Sequence, residues 1–148
     1  MAVKPVILAL NASGEATAHR IAKALGAGVH GREGRVAQAD AFFPNALDHA
    51  RDLFAAGVPI IGVCASGILI RAVAPLLADK RAEPAVVSVS DDGAVVVPLL
   101  GGHHGANRLA REIAQALGGV AAVTTAGDVT LGLGLDEPPA GWALANPE

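Results

Sequence analysis

Between Val58 and Leu77 the chain carries a strand-like run, Val58-Pro59-Ile60-Ile61-Gly62-Val63, and then a helix from Ser66 to Leu77 that is apolar nearly all round. Ile68, Leu69, Ile70, Val73, Leu76 and Leu77 leave Arg71 as its only charge. Such a helix needs cover on most sides, from a sheet and from a second layer or a partner. Pro59 at the second position of the preceding run suits a strand start. This pair of elements asks for a layered α/β architecture.

The rest of the chain supplies the layers. Val6-Ile7-Leu8-Ala9-Leu10 reads as a buried first strand, ending in the capping-rich turn Asn11-Ala12-Ser13-Gly14. Ala18, Ile21, Ala22 and Leu25 then recur at helical spacing up to Gly26 and Gly28. Gly31 to Gly34 reads as a loop and Arg35 to Ala39 as a short strand, while Leu47, Ala50 and Phe54 mark a second amphipathic helix ended by Gly57. Asp91-Asp92-Gly93 joins the β runs Ala85–Ser90 and Ala94–Leu99 as a hairpin. Gly101-Gly102-His103-His104-Gly105 leads into a helix with Leu109, Ile113, Ala116 and Leu117 inward, and Val120 to Thr125 is a last strand. The order predicts a three-layer α/β/α sandwich with a mixed, mostly parallel sheet, flavodoxin-like or Rossmann-like. Residues 1–132 form this domain, and the Pro- and Gly-rich stretch 133–148, with Trp142, reads as a linker-like docking tail.

Charge and cysteine content narrow the function classes. A net charge of −3 gives no basic field for nucleic acid, and no apolar run approaches the roughly 20 residues that span a bilayer. One cysteine, Cys64, can form neither an internal disulfide nor a multi-cysteine metal site, so the expected address is the cytoplasm. The five histidines show no ligand spacing, and neither a metal nor a cofactor is expected. No dinucleotide or P-loop fingerprint is present.

Three strand-to-helix junctions suit a bound carboxylate or phosphate: Asn11 to Gly14, Cys64 to Gly67, and Gly101 to Asn107. Tight turns also need Gly and Ser for steric reasons, so each has a purely structural reading. Arg71, alone on an apolar helix, calls for an anion or a salt bridge to Asp79 or Glu83. His103 and His104 offer a general acid or base near neutrality. Adjacent histidines normally point apart, so the two are not expected to act on one atom. Cys64 is a conceivable nucleophile beside His103, but a lone cysteine at a strand end is more often a small buried hydrophobe.

An ordered series of motifs resembles the N-terminal domain of the CbiG family. The series comprises Gly62-Val63-Cys64-Ala65-Ser66-Gly67-Ile68-Leu69-Ile70-Arg71-Ala72-Val73-Ala74-Pro75-Leu76-Leu77, Asp79-Lys80-Arg81, Pro84-Ala85-Val86-Val87 and Asp92-Gly93, then Gly102-His103-His104-Gly105-Ala106-Asn107-Arg108-Leu109-Ala110 and Thr124-Thr125-Ala126. These span about residues 58–129. The resemblance implies cobalamin (vitamin B12) biosynthesis and cobalt-precorrin-5A hydrolase chemistry, in which a δ-lactone of a corrin precursor opens and acetaldehyde leaves. It makes His103 or His104 the candidate base. Ser66, Gly67, Gly102, Gly105 and Asn107 become substrate contacts, with the N–H groups around Ser66-Gly67 and Gly105-Ala106 as oxyanion donors. Arg71, Lys80, Arg81 and Arg108 suit the carboxylate arms of a tetrapyrrole, the implied partner.

The chain departs from the family pattern in one motif. The family commonly has an apolar residue after the first His and a Gly-Gly pair before Ala-Asn, where this chain reads His103-His104-Gly105-Ala106-Asn107. That form resembles the one joined to precorrin-3B C17-methyltransferase, which implies either a fused methyltransferase domain or other cobalamin-pathway enzymes as partners. The alternatives to a hydrolase are a non-catalytic precorrin-binding or docking module, and a flavodoxin-like domain for some other anionic small molecule. A single cradle requires the Ser66 and His103 turns to meet. A simple crossover would separate them, whereas an extended segment from Ala78 to Pro84, reaching roughly 23–25 Å, would join them.

Overall fold

The structure, a computed structural model, describes residues 3–78 and 83–125. Val6–Ala9 forms β1, and Ala12–Leu25 forms α1, closed by Gly26 in the left-handed conformation that suits glycine. Gly28–Arg32 is β2 and Ala41–Phe43 is β3. Ala46–Ala55 is α2, whose first turn is capped by the Asn45 side chain accepting from the Asp48 N–H at 3.0 Å. Ile60–Val63 is β4 and Ser66–Val73 is α3, with Ala74–Leu76 continuing as one 3-10 turn. Val86–Val89 is β5, Val95–Leu100 is β6, Ala106–Leu117 is α4 and Val120–Ala121 is β7.

Among the described residues the strands form one sheet in the order β3-β2-β1-β4-β5-β6-β7. β1 to β5 run parallel, β6 returns antiparallel to β5, and β7 follows β6. Ile7, Ala9, Ile61, Val63, Val87 and Val89 pack under α1 and α4 on one face. Leu8, Ile60 and Val86 pack under α2 and α3 on the other. Every side chain of β4 and β5 is buried, as expected for central parallel strands covered on both faces. The result is the expected three-layer α/β/α sandwich, with its first five strands in the doubly wound order of a Rossmann-like sheet.

Five local expectations are corrected. The second strand is β2 at Gly28–Arg32, not Arg35–Ala39, and Gly31 is inside it. Residues 33–40 curl back over that strand, because Gly31 leaves space for Val36, whose Cγ1 lies 2.8 Å from where a Cβ would stand. Asp40 secures the curl, its carboxylate accepting from the Val29 N–H and its own N–H donating to the Val29 carbonyl, both at 2.8 Å. α3 is shorter than expected, since Pro75 brings no N–H to continue an α-helical ladder. The stretch from Ser66 to Leu77 is also less enclosed than expected, with Ile70, Arg71 and Leu77 exposed. In α4 Ile113 is buried and Leu109 and Leu117 pack against the core as expected, joined by Ala106, Ala110 and Ala114, but Ala116 faces out. The last strand stops at Ala121.

Candidate active site

The direction of β6 decides where the site residues lie. Val63 is level with Val89 and Val96 at one rim of the sheet, while Ile60 is level with Val86 and Leu100 at the other. The Ser66 turn follows β4 at the first rim, and the Gly101 turn follows β6 at the opposite one. The expectation of one shared cradle is therefore overturned: Ser66, Gly67 and Arg71 stand apart from Gly102, His103, His104, Gly105, Asn107 and Arg108. An antiparallel hairpin returns its chain to the rim it left, and no side chain spans the strands between.

At the first rim, α1 and α3 both begin at carboxyl ends of parallel strands, where such folds commonly bind ligands. Here the crevice between β1 and β4 is occupied by the chain itself. A Cβ on Gly14 would sit 2.7 Å from Val63 Cγ1 and 3.0 Å from an Asp91 carboxylate oxygen. Ser13 Oγ donates to that carboxylate at 2.6 Å and Thr17 Oγ1 donates to the Asp91 carbonyl at 2.5 Å. The hairpin turn thus caps the first turn of α1 with a negative charge, which opposes a bound anion. Spacing could not reveal this contact, because Asp91 looks like an ordinary turn residue. The Arg71 side chain is exposed and folds back along α3, with one guanidinium nitrogen 3.1 Å from where a Gly67 Cβ would be. Of its expected ion-pair partners, Glu83 makes none with it among the described residues, and Asp79 lies outside them.

Cys64 is buried, and burial together with the nearby Asp91 carboxylate pushes its thiol up to about 12. A thiol so rarely ionised at neutral pH is a poor nucleophile, and the His103 turn is on the far rim. Iodoacetamide at pH 7.5 is therefore expected to leave Cys64 unmodified in the folded chain and to label it fully in denaturant, as read by intact mass. Rapid labelling of the native chain would contradict this packing.

The opposite rim gathers six of the expected residues. Gly101 and Gly105 both take positive φ, 70° and 101°, and hold the 3-10 turn Gly102–His104 between them. The His104 and Ala106 N–H groups both donate to the Gly101 carbonyl, at 2.9 and 3.0 Å. The Ala106 N–H, one of the expected oxyanion donors, is thus directed at the Gly101 carbonyl. His103 and His104 point into different places, as expected of neighbours. His103 lines a cleft of about 210 Å³ with Glu83, Gly102, Asn107, Thr124 and Thr125. His104 lines a second cleft, of about 250 Å³, with Pro59, Ala85, Gly105, Arg108 and Glu112.

Two contacts across the fold fix this rim. His104 Nδ1 is 2.8 Å from the Glu83 carbonyl, which only accepts, so that nitrogen carries the proton. Asn107, 4% exposed, donates from Nδ2 to Thr125 Oγ1 at 2.9 Å. A buried amide without such a partner would be costly, so this bond ties the start of α4 to the segment after β7. Sequence reasoning had Glu83 only as an ion-pair partner for Arg71 and Thr125 only within a motif, and it missed these two contacts because each joins distant segments. Lys80 and Arg81 lie outside the described residues, as do the tail 133–148 and Trp142. Among the described residues no three His, Cys, Asp or Glu side chains are gathered as a metal site, and no helix is long and apolar enough to cross a membrane.

Over 99 residues, 65% of its length, this chain is 39% identical to the cobalt-precorrin-5A hydrolase of Priestia megaterium, covering 26% of that protein. Over 81 residues, 54% of this chain, it is 44% identical to the cobalt-precorrin-5A hydrolase of Salmonella typhimurium, covering 23% of it. The chain thus spans about a quarter of the length of these curated relatives. A crystal structure of a cobalamin biosynthesis protein G homolog from Sulfolobus solfataricus superposes with a TM-score of 0.63 at 24% identity, over 82% of this chain and 36% of that one, which supports the fold. Residues 48–128 match the family described as "Cobalamin synthesis G N-terminal", a span that includes the Ser66 turn and all six clustered residues. With more than half of its length inside that match, the chain belongs to the cobalamin synthesis G N-terminal family.

Proposed function

We propose that this domain opens the δ-lactone of a cobalt-precorrin, with release of acetaldehyde, at the rim formed by the Gly-His-His-Gly turn. The observation that carries the reading is the grouping of His103, Asn107 and Thr125 around one cleft within the family match. His103 is the proton acceptor for the attacking water, an imidazole being suited to that transfer near neutrality. In this reading Asn107 and Thr125, which line the same cleft as His103, supply the polar groups for the developing oxyanion. When the tetrahedral adduct collapses, the ring C–O bond breaks and an alkoxide is freed. That alkoxide becomes the carbonyl of acetaldehyde as its carbon–carbon bond to the macrocycle breaks and the electron pair returns to the ring system.

His104 has a supporting part. Its bond to Glu83 holds the turn against the segment before β5. It stands where the family commonly has an apolar residue, so it is not the family's base. Arg108, at the edge of the second cleft, suits a carboxylate arm of the macrocycle. Lys80 and Arg81 belong to the same proposal as further cations. Ser66, Gly67 and Arg71, on the far rim, take no part in this step.

Cleft size supports a second reading. Volumes of about 210 and 250 Å³ fall below the roughly 300–1,000 Å³ of pockets that enclose a whole small molecule. As bounded by the described residues, each of the two clefts encloses an edge or an arm of a tetrapyrrole rather than the whole macrocycle. A non-catalytic precorrin-binding or docking module, working beside other cobalamin enzymes or a fused methyltransferase, also fits such a surface. Incubating the purified chain with cobalt-precorrin-5A separates the two. Acetaldehyde formed with multiple turnovers supports the hydrolase, binding without acetaldehyde supports the module, and absence of binding removes both.

A further inference from the structure

His30 on β2 and His49 in the first half of α2 meet at the sheet edge, with Nδ1 of His30 and Nε2 of His49 2.8 Å apart. The Phe43 ring, at the end of β3, stacks on His49 with centroids 4.6 Å apart and planes 7° from parallel. The pair joins three successive elements: β2, the edge strand β3, and α2. From its geometry we propose that this histidine pair is a pH-sensitive latch that holds β3 and the start of α2 against the sheet and releases them on acidification.

The proton count makes it a latch. The neutral pair carries two ring protons, one between the facing nitrogens that makes the hydrogen bond and one on the outward nitrogen of the accepting ring. A third proton goes to the remaining outward nitrogen and leaves that bond intact. A fourth places N–H groups on both facing nitrogens and two like charges within contact distance, so the pair must part. The groups around it are few. In the sheet His30 is flanked by Leu8 of β1 and Ala41 of β3, neither titratable. The charged groups acting on the pair are Asp40, just before β3, and Asp52, on α2. Both favour the charged form, but burial outweighs them and holds both histidines below their ordinary value, with His30 lowering His49 further. Groups lowered in this way leave full stability in place above about 6.5, the ordinary histidine value. As pH falls below it the opened form takes up protons first, so the latch weakens with acidity.

Hydrogen exchange read by mass spectrometry, between pH 7.5 and 5, tests the latch directly. After correction for intrinsic exchange, opening of residues 41–55 should rise by up to about tenfold per pH unit for each extra proton taken up by the open form. β1, β4 and β5 should keep their protection over that range. His49→Gln retains a hydrogen-bonding partner for His30 but cannot charge, and should flatten the pH dependence of that segment. Equal loss of protection in all strands, or an unchanged pH dependence in His49→Gln, would overturn the latch. If the variant does not fold, ring titration of the wild-type histidines by NMR decides. Two coupled titrations below the ordinary value support it, and two independent ones at that value overturn it.

Discussion

Replacing Gly101 with alanine should destabilise the chain by roughly 2–5 kcal/mol, against roughly 1–3 kcal/mol for the same change at Gly105. Both glycines take positive φ, so each substitution forces an L-residue into a strained backbone region. They differ in surroundings. A Cβ on Gly101 would lie 3.0 Å from both the Ala85 Cα and the Pro84 carbonyl oxygen, and backbone cannot step aside as a side-chain tip can. A Cβ on Gly105 meets nothing within 4 Å. Typical domains are stable by only about 5–15 kcal/mol, so the change at Gly101 removes a large part of the total. Urea titrations of the two variants beside the wild type measure the difference. Equal midpoints for both would mean that the Gly101 turn does not press on the start of β5, and the packing of this rim would have to be redrawn.

The second large effect concerns chemistry and rests on the proposed lactone opening. His103→Ala should lower kcat about 100- to 10,000-fold, the usual range for loss of a general base, with binding of the precorrin largely kept. His104→Ala should lower it far less, because its imidazole anchors the turn through the Glu83 carbonyl. The loss in His104→Ala should appear chiefly as reduced stability. Steady-state acetaldehyde release, read beside the urea midpoint of each variant, distinguishes the two. A His104→Ala variant as inactive as His103→Ala, yet equally well folded, would exchange the two roles.

Two of the parts that govern both predictions are local. Glycine at two positions around a His-His pair, directly before an amphipathic run, marks a turn into a helix because only glycine accepts positive φ without strain. The uninterrupted apolar runs at Val6 and Val58 likewise mark strands covered on both faces. Helix spacing in α1 and α4 is legible for the same reason, as each apolar stripe is a few residues long. Nearby sequence misled most at β2, where an unusual partner intervened. Val36 looked like a strand residue, yet it fills the space above Gly31, and β2 runs instead through a segment with two glycines and a histidine.

The amino-acid sequence by itself determined the layers, the hairpin and the motifs that place the chain in its family, since these depend on residues within a few positions of each other. Tertiary structure alone decided the rims. β6 runs against β5, so the Ser66 and His103 turns end on opposite sides of the sheet, and the two motifs cannot grip one ligand. It also decided that Asp91 caps α1, that His104 finds Glu83, that Asn107 finds Thr125, and that His30 meets His49. Each of these contacts joins segments far apart in the chain, and a hydrogen bond between such segments leaves no periodic mark in the order of residues.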